Sequence, residues 1–371
     1  MIPVNVPLLG KEEKEAVMKV LDSGMLTQKA GKGPMVSEFE KKFANYVKVK
    51  HAIAMNSGTA ALHAALLALN LKPSDQVIVP TFTFVATASV VLHVGAKPVF
   101  VDIDPEIYAM DPLEVKKKIT PNTKAIIPVH LFGHPADLDP IKELTKARSI
   151  KVIEDACQAH GATYKGRQVG SIGDLACFSF YPSKNMTTGE GGMLTTNDDE
   201  IAEAVRTIIN HGEKEAYQTV RLGHNFRMPE ISAAIGSVQI DKLPKFVEKR
   251  RNNVAQLTGL IKDNSHLQLP VVRSWAEHCW YLFTIRVPKD KSPLTRDSCV
   301  KKLHDAGIGA AVYYETPLHL LPYYKTNFNF HSGDFPKTEK AALEVISIPV
   351  HPGLTSTDIA FIGEQVNKIF Q

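Results

Sequence analysis

The chain has 371 residues, 44% hydrophobic and 22% charged, an ordinary balance for a globular enzyme and enough length for two domains. Its 43 basic and 39 acidic residues leave a formal charge of +4, too small and too dispersed to argue for a nucleic-acid partner. The four cysteines, Cys157, Cys177, Cys279 and Cys299, have no Cys-x-x-Cys spacing, so neither a metal site nor a disulfide framework is expected.

The first residues, Met1-Ile2-Pro3-Val4-Asn5-Val6-Pro7, have no basic stretch followed by an apolar one, so no signal peptide is expected. Helical patterns over 12–23 and 35–46 come first. Strands are expected at 76–79, 98–101, 125–129, 151–154, 175–180 and 192–196, with helical periodicity at 59–69 and 138–148 between them. Strands alternating with helices predict an α/β fold whose mostly parallel central sheet is flanked by helices on both faces. A helical pattern over 229–251 bridges to a second set of elements at 280–286, 295–306 and 355–370. The boundary is placed near residue 250, giving a large domain 1–250 and a smaller C-terminal α/β domain 251–371. The longest mostly apolar stretch, 82–94, carries threonines, a serine and a histidine and falls short of the about 20 residues needed to span a bilayer. A cytoplasmic protein with no membrane partner is expected.

Two residues carry the chemical reading. Lys184 follows the strand-like run Phe178-Ser179-Phe180 and precedes the turn Gly189-Glu190-Gly191-Gly192, while Asp155 closes the strand-like run Lys151-Val152-Ile153-Glu154-Asp155. In parallel sheets ligands bind beyond the carboxyl ends of the strands, where both residues fall. An acid and a lysine at two strand ends are the pair that pyridoxal phosphate requires. The lysine holds the aldehyde as a Schiff base, and the carboxylate keeps the pyridine nitrogen protonated so that the ring accepts electrons.

The remaining candidates each have a plainer alternative. Asn56-Ser57-Gly58-Thr59-Ala60 precedes an alanine- and leucine-rich helix, where it either supplies amides to a phosphate or is an ordinary serine cap. Phe84 can stack on a flat ring or pack in the core. Ser179 can donate to the same phosphate or shape a turn, and Gln158 can reach a ring hydroxyl or satisfy local backbone. Asn225 and Arg227 precede a helix that Pro229 starts; they can bind anions, cap that helix or lie in solvent.

Taken together, these stretches resemble the pyridoxal-phosphate sugar aminotransferases of the DegT/DnrJ/EryC1/StrS family, within the fold-type I aminotransferase superfamily. The matching runs are Ser57-Gly58-Thr59-Ala60-Ala61-Leu62, Pro80-Thr81-Phe82-Thr83-Phe84-Val85-Ala86-Thr87-Ala88 and Glu154-Asp155-Ala156-Cys157-Gln158-Ala159-His160-Gly161-Ala162. They continue with Phe178-Ser179-Phe180-Tyr181-Pro182-Ser183-Lys184-Asn185, Gly189-Glu190-Gly191-Gly192-Met193, Asn225-Phe226-Arg227-Met228 and Pro317-Leu318-His319. The resemblance covers essentially the whole chain.

It implies a fold-type I transferase with pyridoxal 5'-phosphate as cofactor. Lys184 would carry the cofactor, Asp155 would face its pyridine nitrogen, Gln158 would lie beside its hydroxyl, and Phe84 would stack on its ring. Gly58, Thr59 and Ser179 would hold the phosphate, joined by Asn225 from the other subunit of a homodimer with shared active sites. Arg227 and His319 would line the sugar-nucleotide entrance. The implied reaction is conversion of a nucleotide-linked keto-sugar to the amino-sugar, with L-glutamate as donor and 2-oxoglutarate as co-product. The wording around Gln158 and Lys184 looks like that of relatives acting at C-3 of the sugar, while 187–192 is also seen in those acting at C-4. Some relatives carry histidine in place of the lysine and remove a hydroxyl instead; this chain keeps Lys184. A keto-cyclitol acceptor and a cofactor-binding regulator without turnover are the alternatives, and no helix-turn-helix with a basic reading helix is evident.

Overall fold

In the computed structural model, which describes residues 1–27 and 33–370, seven short strands form one sheet. They are β1 (His51–Met55), β2 (Gln76–Pro80), β3 (Lys97–Val101), β4 (Thr123–Ile126), β5 (Lys151–Asp155), β6 (Leu175–Ser179) and β7 (Gly192–Thr196). Their spatial order is β1-β7-β6-β5-β4-β2-β3. Pairings from β6 through β3 are parallel, and β7 runs antiparallel to both β6 and β1. Six strands therefore end on one edge, and β7 alone begins there.

Successive side chains along these strands leave opposite faces of the sheet, and both faces are buried. Ile53, Val77, Val79, Ala125, Ile153, Leu175 and Cys177 pack on one face with helices α3 (Gly58–Ala68) and α4 (Ala86–His93). Their neighbours Ala52, Ala54, Ala176 and Phe178 pack on the other face against α2 (Pro34–Val47), which follows α1 (Lys11–Ser23) in the chain order. Ile78, Ile126 and Val152 continue that second face under α5 (Pro112–Lys118) and α6 (Leu138–Thr145), while α7 (Asp199–Ile208) joins the first. A sheet buried on both faces needs apolar residues at nearly every strand position, and these strands supply them. In α2, Val36, Phe39, Phe43 and Val47 recur at helical spacing and are all buried, with Pro34 at the first turn. Phe39 and Phe43 meet Phe178 and Phe180 edge-on or tilted at 4.9–5.5 Å between centroids. Each such ring contributes roughly 1.5–3 kcal/mol through its burial.

Helix α8 (Glu230–Ile261) carries the chain out of this sandwich. Its first half packs Ala233, Ile240, Leu243 and Val247 against α2's cluster, and its second half packs Val254, Leu257 and Ile261 against a separate cluster. That second cluster lies between α9 (Arg296–Asp305), α12 (Ser356–Lys368) and the antiparallel pair β8 (Phe283–Arg286) and β9 (Val345–Ile348). Between α9 and α12 come α10 (Pro322–Phe328) and α11 (Pro336–Glu344). Among the described residues, no helix is long and apolar enough to cross a membrane.

Several elements depart from the sequence expectations. The strand β1 was not anticipated: its alanines at 52 and 54 are weak strand formers, and its register is imposed by antiparallel pairing with β7. The apolar stretch 82–94 folds into a tight turn followed by α4. The expected strand 125–129 stops at Ile126, and beyond Pro128 only Val129 bridges, to Asp155. The expected helix 229–251 runs on to Ile261 through Pro244, so residue 250 lies inside it. There Arg250 is fully buried and donates to the carbonyls of Trp280 and Tyr281 at 3.1 and 3.2 Å.

Candidate active site

The carboxyl ends of β1, β2, β5 and β6 converge on one cavity of about 770 Å³. Ser57 leaves β1 and caps α3, its Oγ accepting from the Ala60 amide at 3.0 Å. The first amides of any helix lack intrahelical partners and face the positive end of its dipole, a setting for an anion. Backbone can approach here only because side chains are missing. A Cβ on Gly58 would stand 2.7 Å from Ser179 Cβ and 3.0 Å from Cys157 Sγ. On β7, a Cβ on Gly192 would stand 2.2 Å from the Ser57 carbonyl oxygen.

Asp155 ends β5 at the cavity wall, the residue 5% exposed. Oδ2 accepts from Thr87 Oγ1 at 2.8 Å and Oδ1 from the Cys157 amide at 3.2 Å. A carboxylate has about four acceptor positions, so two remain. Gln158 lies one turn further on. Its Oε1 accepts from the Phe132 amide at 2.8 Å and its Nε2 donates to Tyr314 Oη at 3.1 Å, leaving one amide proton of the two. Phe84, on the turn after β2, is 54% exposed at the cavity, with ring area open to that space.

Lys184 enters from the turn after β6, its backbone amide held by the Tyr181 carbonyl at 2.9 Å. Its Nζ stands 4.4 Å from the centroid of the Tyr281 ring and 3.4 Å from Tyr281 Oη. The same hydroxyl lies 2.9 Å from Ser183 Oγ. An ammonium over a tyrosine face is held by the ring quadrupole, so Tyr281 keeps the amine within the cavity. Behind it, His160 packs on Phe178 and Phe180; burial first, then the charge of Lys184, pushes its imidazole down to about 3, so it is neutral at physiological pH.

Of the residues singled out in the sequence, Gly58, Thr59, Phe84, Asp155, Gln158, Ser179 and Lys184 line this one cavity. Asn225 and Arg227 do not. Their segment runs beside the end of β1, where Phe226 accepts from the Asn56 amide at 2.9 Å and Arg227 Nη1 donates to Asn210 Oδ1 at 2.8 Å. Asn225 is exposed. His319 is placed differently from the entrance role expected of it. Its ring is fully buried, packs on Phe335 at 4.7 Å and contacts Glu339 Oε1 through Nε2 at 3.1 Å. Burial outweighs the pull of Glu339 and holds its imidazole below the usual range. A ring with no exposed surface locks the turn Leu318–Leu320 onto α11 and has none to offer a substrate.

Sequence reasoning passed over the threonines Thr83 and Thr87 and the tyrosines Tyr281, Tyr313 and Tyr314, all of which line the cavity. The threonines lie within a run already singled out. The paired tyrosines stand three residues before Pro317, and that proximity was the available signal.

These residues fit pyridoxal phosphate: a glycine-lined helix terminus for the phosphate, a buried acid with acceptor capacity left, and a lysine amine in the same cavity. The chain matches the model of the DegT/DnrJ/EryC1/StrS aminotransferase family over residues 7–367. It is similar to GDP-perosamine synthase of Caulobacter vibrioides, 39% identical over 361 residues that cover 96% of this chain and 95% of that protein. It is also similar to UDP-N-acetyl-3-dehydro-alpha-D-glucosamine 3-aminotransferase of Acidithiobacillus ferrooxidans, 41% identical over 334 residues covering 89% and 87%. The crystal structure of DesV from S. venezuelae superposes with a TM-score of 0.92 at 36% identity, covering 100% of this chain and 99% of that one.

Proposed function

Because the chain belongs to the DegT/DnrJ/EryC1/StrS aminotransferase family, we propose that it converts a nucleotide-linked keto-sugar to the amino-sugar, with L-glutamate as amino donor. It is a pyridoxal-phosphate-dependent sugar aminotransferase. The observation that carries this reading is the meeting of Lys184, Asp155 and the α3 terminus in one cavity.

Pyridoxal phosphate supplies an aldehyde that bonds a substrate amine and a ring that takes up the electron pair left by a departing C–H proton. Lys184 would hold that aldehyde between turnovers. Once released, its amine would take the proton from the donor's carbon and deliver it to the cofactor's aldehyde carbon, as base and then acid. Asp155 would face the pyridine nitrogen, and the remaining amide proton of Gln158 would face the ring hydroxyl. Phe84 would cover a face of the ring. The amides of Gly58 and Thr59 and the hydroxyl of Ser179 would bind the phosphate. The large domain, 1–250, supplies all of these residues.

A second copy of the chain completes the site. Among the described lining residues Lys184 is the one cation, beside Asp155 and Glu190. A phosphate, a dicarboxylate and a nucleotide diphosphate cannot all be neutralised by one amine that is itself engaged in the chemistry. Asn225 of the partner subunit would reach the phosphate and Arg227 of the partner subunit the acceptor's diphosphate. Supporting this, Val220 and Leu222, just before that segment, are 63% and 92% exposed, apolar surface suited to contact between copies. Amination at C-3 is the favoured position, in a cytoplasmic homodimer.

The test combines glutamate with UDP-, dTDP- and GDP-linked keto-sugars and reads products by mass spectrometry. An amino-sugar with 2-oxoglutarate released in equal amount is expected from at least one acceptor. Borohydride should fix the cofactor on Lys184. Labelling at another lysine, or turnover only with keto-cyclitols, would overturn the respective part of the reading. Mixing Lys184→Ala with Asn225→Ala subunits should restore part of the activity; heterodimers without rescue would refute shared sites.

A further inference from the structure

Two buried threonines on the turn after β2 point a chain of hydroxyls at Asp155. Thr87, in the first turn of α4, is fully buried, and its Oγ1 lies 2.8 Å from Asp155 Oδ2. Thr83, 2% exposed, has its Oγ1 3.1 Å from Thr87 Oγ1. The direction follows from proton counting. An ionised carboxylate only accepts, so Thr87 donates its one proton to Asp155, and Thr83 must then donate to Thr87.

Threonines in helices commonly turn their hydroxyls back to a carbonyl on the preceding turn. Thr87 instead reaches across to a strand 68 residues later in the chain. A valine would fill the same space, so packing alone does not call for the hydroxyl. The other carboxylate oxygen is held by the Cys157 amide at 3.2 Å, which fixes the plane of the group only in concert with a second contact. Thr87 is that contact, and it sits on the same turn that carries Phe84 at the cavity.

We propose that Thr87, oriented by Thr83, is a positioning residue for the aminotransferase reaction, holding the Asp155 carboxylate so that its remaining acceptor positions face the cofactor's ring nitrogen. The proposal rests on the reading of Asp155 as the partner of that nitrogen. Without the hydroxyl the carboxylate swings about its side-chain torsion, and the acid spends part of its time off the line to the ring. Binding of the cofactor, which depends on its phosphate and on Lys184, is untouched by this.

The experiment loads the enzyme with cofactor labelled with ¹⁵N in the pyridine ring and reads that nitrogen's NMR shift alongside steady-state kinetics. In Thr87→Val the protein should retain full cofactor, its nitrogen signal should move toward the unprotonated position, and kcat should fall on the order of tenfold, the scale of one hydrogen bond to a charged group. The KM for glutamate should stay within about twofold, since ground-state binding is unaffected. Thr87→Ser should restore both signal and rate. Thr83→Val should move both in the same direction by less, and it carries the test should Thr87→Val fail to fold. An unmoved nitrogen signal and unchanged kcat in Thr87→Val and Thr83→Val would overturn the proposal. Asp155→Ala separates the two readings: a signal it moves while Thr87→Val does not refutes only Thr87's role. A signal that Asp155→Ala leaves in place refutes the role of Asp155 itself, and that of Thr87 with it.

Discussion

Glu154 and Asp155 are adjacent carboxylates at the end of β5, and the pleat sends them to opposite faces of the sheet. Glu154 is fully buried and saturated. It contacts His130 Nε2 at 3.0 Å and accepts from the amides of Gly170, Ile172 and Gly173 at 2.9, 2.8 and 2.7 Å. Burial pushes its carboxyl up, but His130 and those amides outweigh it and hold it below the usual range. Asp155 has two partners and a cavity in front of it. The difference separates an acid whose acceptor positions are all taken from one with capacity left for a ligand. Both are buried and both are bonded, yet only Asp155 retains acceptor capacity directed at space a ligand can occupy. Glu154 instead staples the loop 170–173 to the sheet.

The sharpest way to test that division is to remove the cavity side of it. Lys184→Ala should lower turnover by roughly a thousandfold or more, the scale of losing a general base. It should still bind cofactor without a covalent bond, seen as a colour removable by dialysis. Asp155→Ala should cut kcat far more than it weakens cofactor affinity, because a ring without its acid is a poor electron sink. Neither substitution should lower the melting temperature by much, since each removes a side chain that faces a cavity. An Asp155→Ala protein with full turnover at saturating cofactor would erase the distinction.

The opposite manipulation acts on the structural acid. Glu154→Gln keeps shape but loses charge and puts an N–H where an acceptor is needed, against His130 and three backbone amides. Breaking such a buried set costs about 3–5 kcal/mol. Chemical unfolding should show that loss, while kcat per folded molecule stays close to that of the parent. The sign of the pH dependence follows from the lowered carboxyl: its stabilisation is fully present above the ordinary 4.5 and is lost as pH falls through the folded value. Glu154→Gln should therefore flatten the acid limb of the stability curve below about pH 4.5. Unaltered stability with impaired turnover would mean that the two acids had been assigned the wrong way round.

How far the sequence reveals this arrangement depends on the range of the forces involved. Asp155 and Lys184 are legible because strand ends in an alternating β/α pattern share an edge, whatever the packing details. Gly58 is legible as a turn residue, but its contact with Ser179, over a hundred positions away, emerges only when β1 and β6 lie two strands apart. Tyr281 is invisible beforehand: the chain turns at Trp280 with a φ of 54°, and Arg250 from α8 holds the carbonyls on either side. Strand β1 escaped because its stability comes from its partner β7 and not from its own residues. His319 misled for the same reason in reverse. A motif position says nothing about which way a ring turns, and the acid that captures it, Glu339, lies twenty residues on.

His319 therefore supplies the smallest effect and the finest test of the comparison, since it is a buried titratable group on neither side of β5. Glu339 gathers the His319 ring, Ser332 Oγ at 2.9 Å and the Gly333 amide at 2.8 Å, a latch that orders the segment before α11. His319→Gln should cost about 1 kcal/mol, one hydrogen bond's worth, and leave the KM for a sugar nucleotide unchanged. Because the folded imidazole lies below the ordinary 6.5, the unfolded chain takes up a proton that the folded one refuses, and stability falls as pH drops below that value. Removing the imidazole should therefore make the fall on acidification from about pH 6.5 shallower, by at most about 1.4 kcal/mol per pH unit for one proton. Arg227→Ala offers the contrast: it should raise the KM for the sugar nucleotide while the glutamate half-reaction proceeds normally. If His319→Gln raised that KM as well, the ring would have to turn outward on binding, and the latch at Glu339 would be part of the entrance after all.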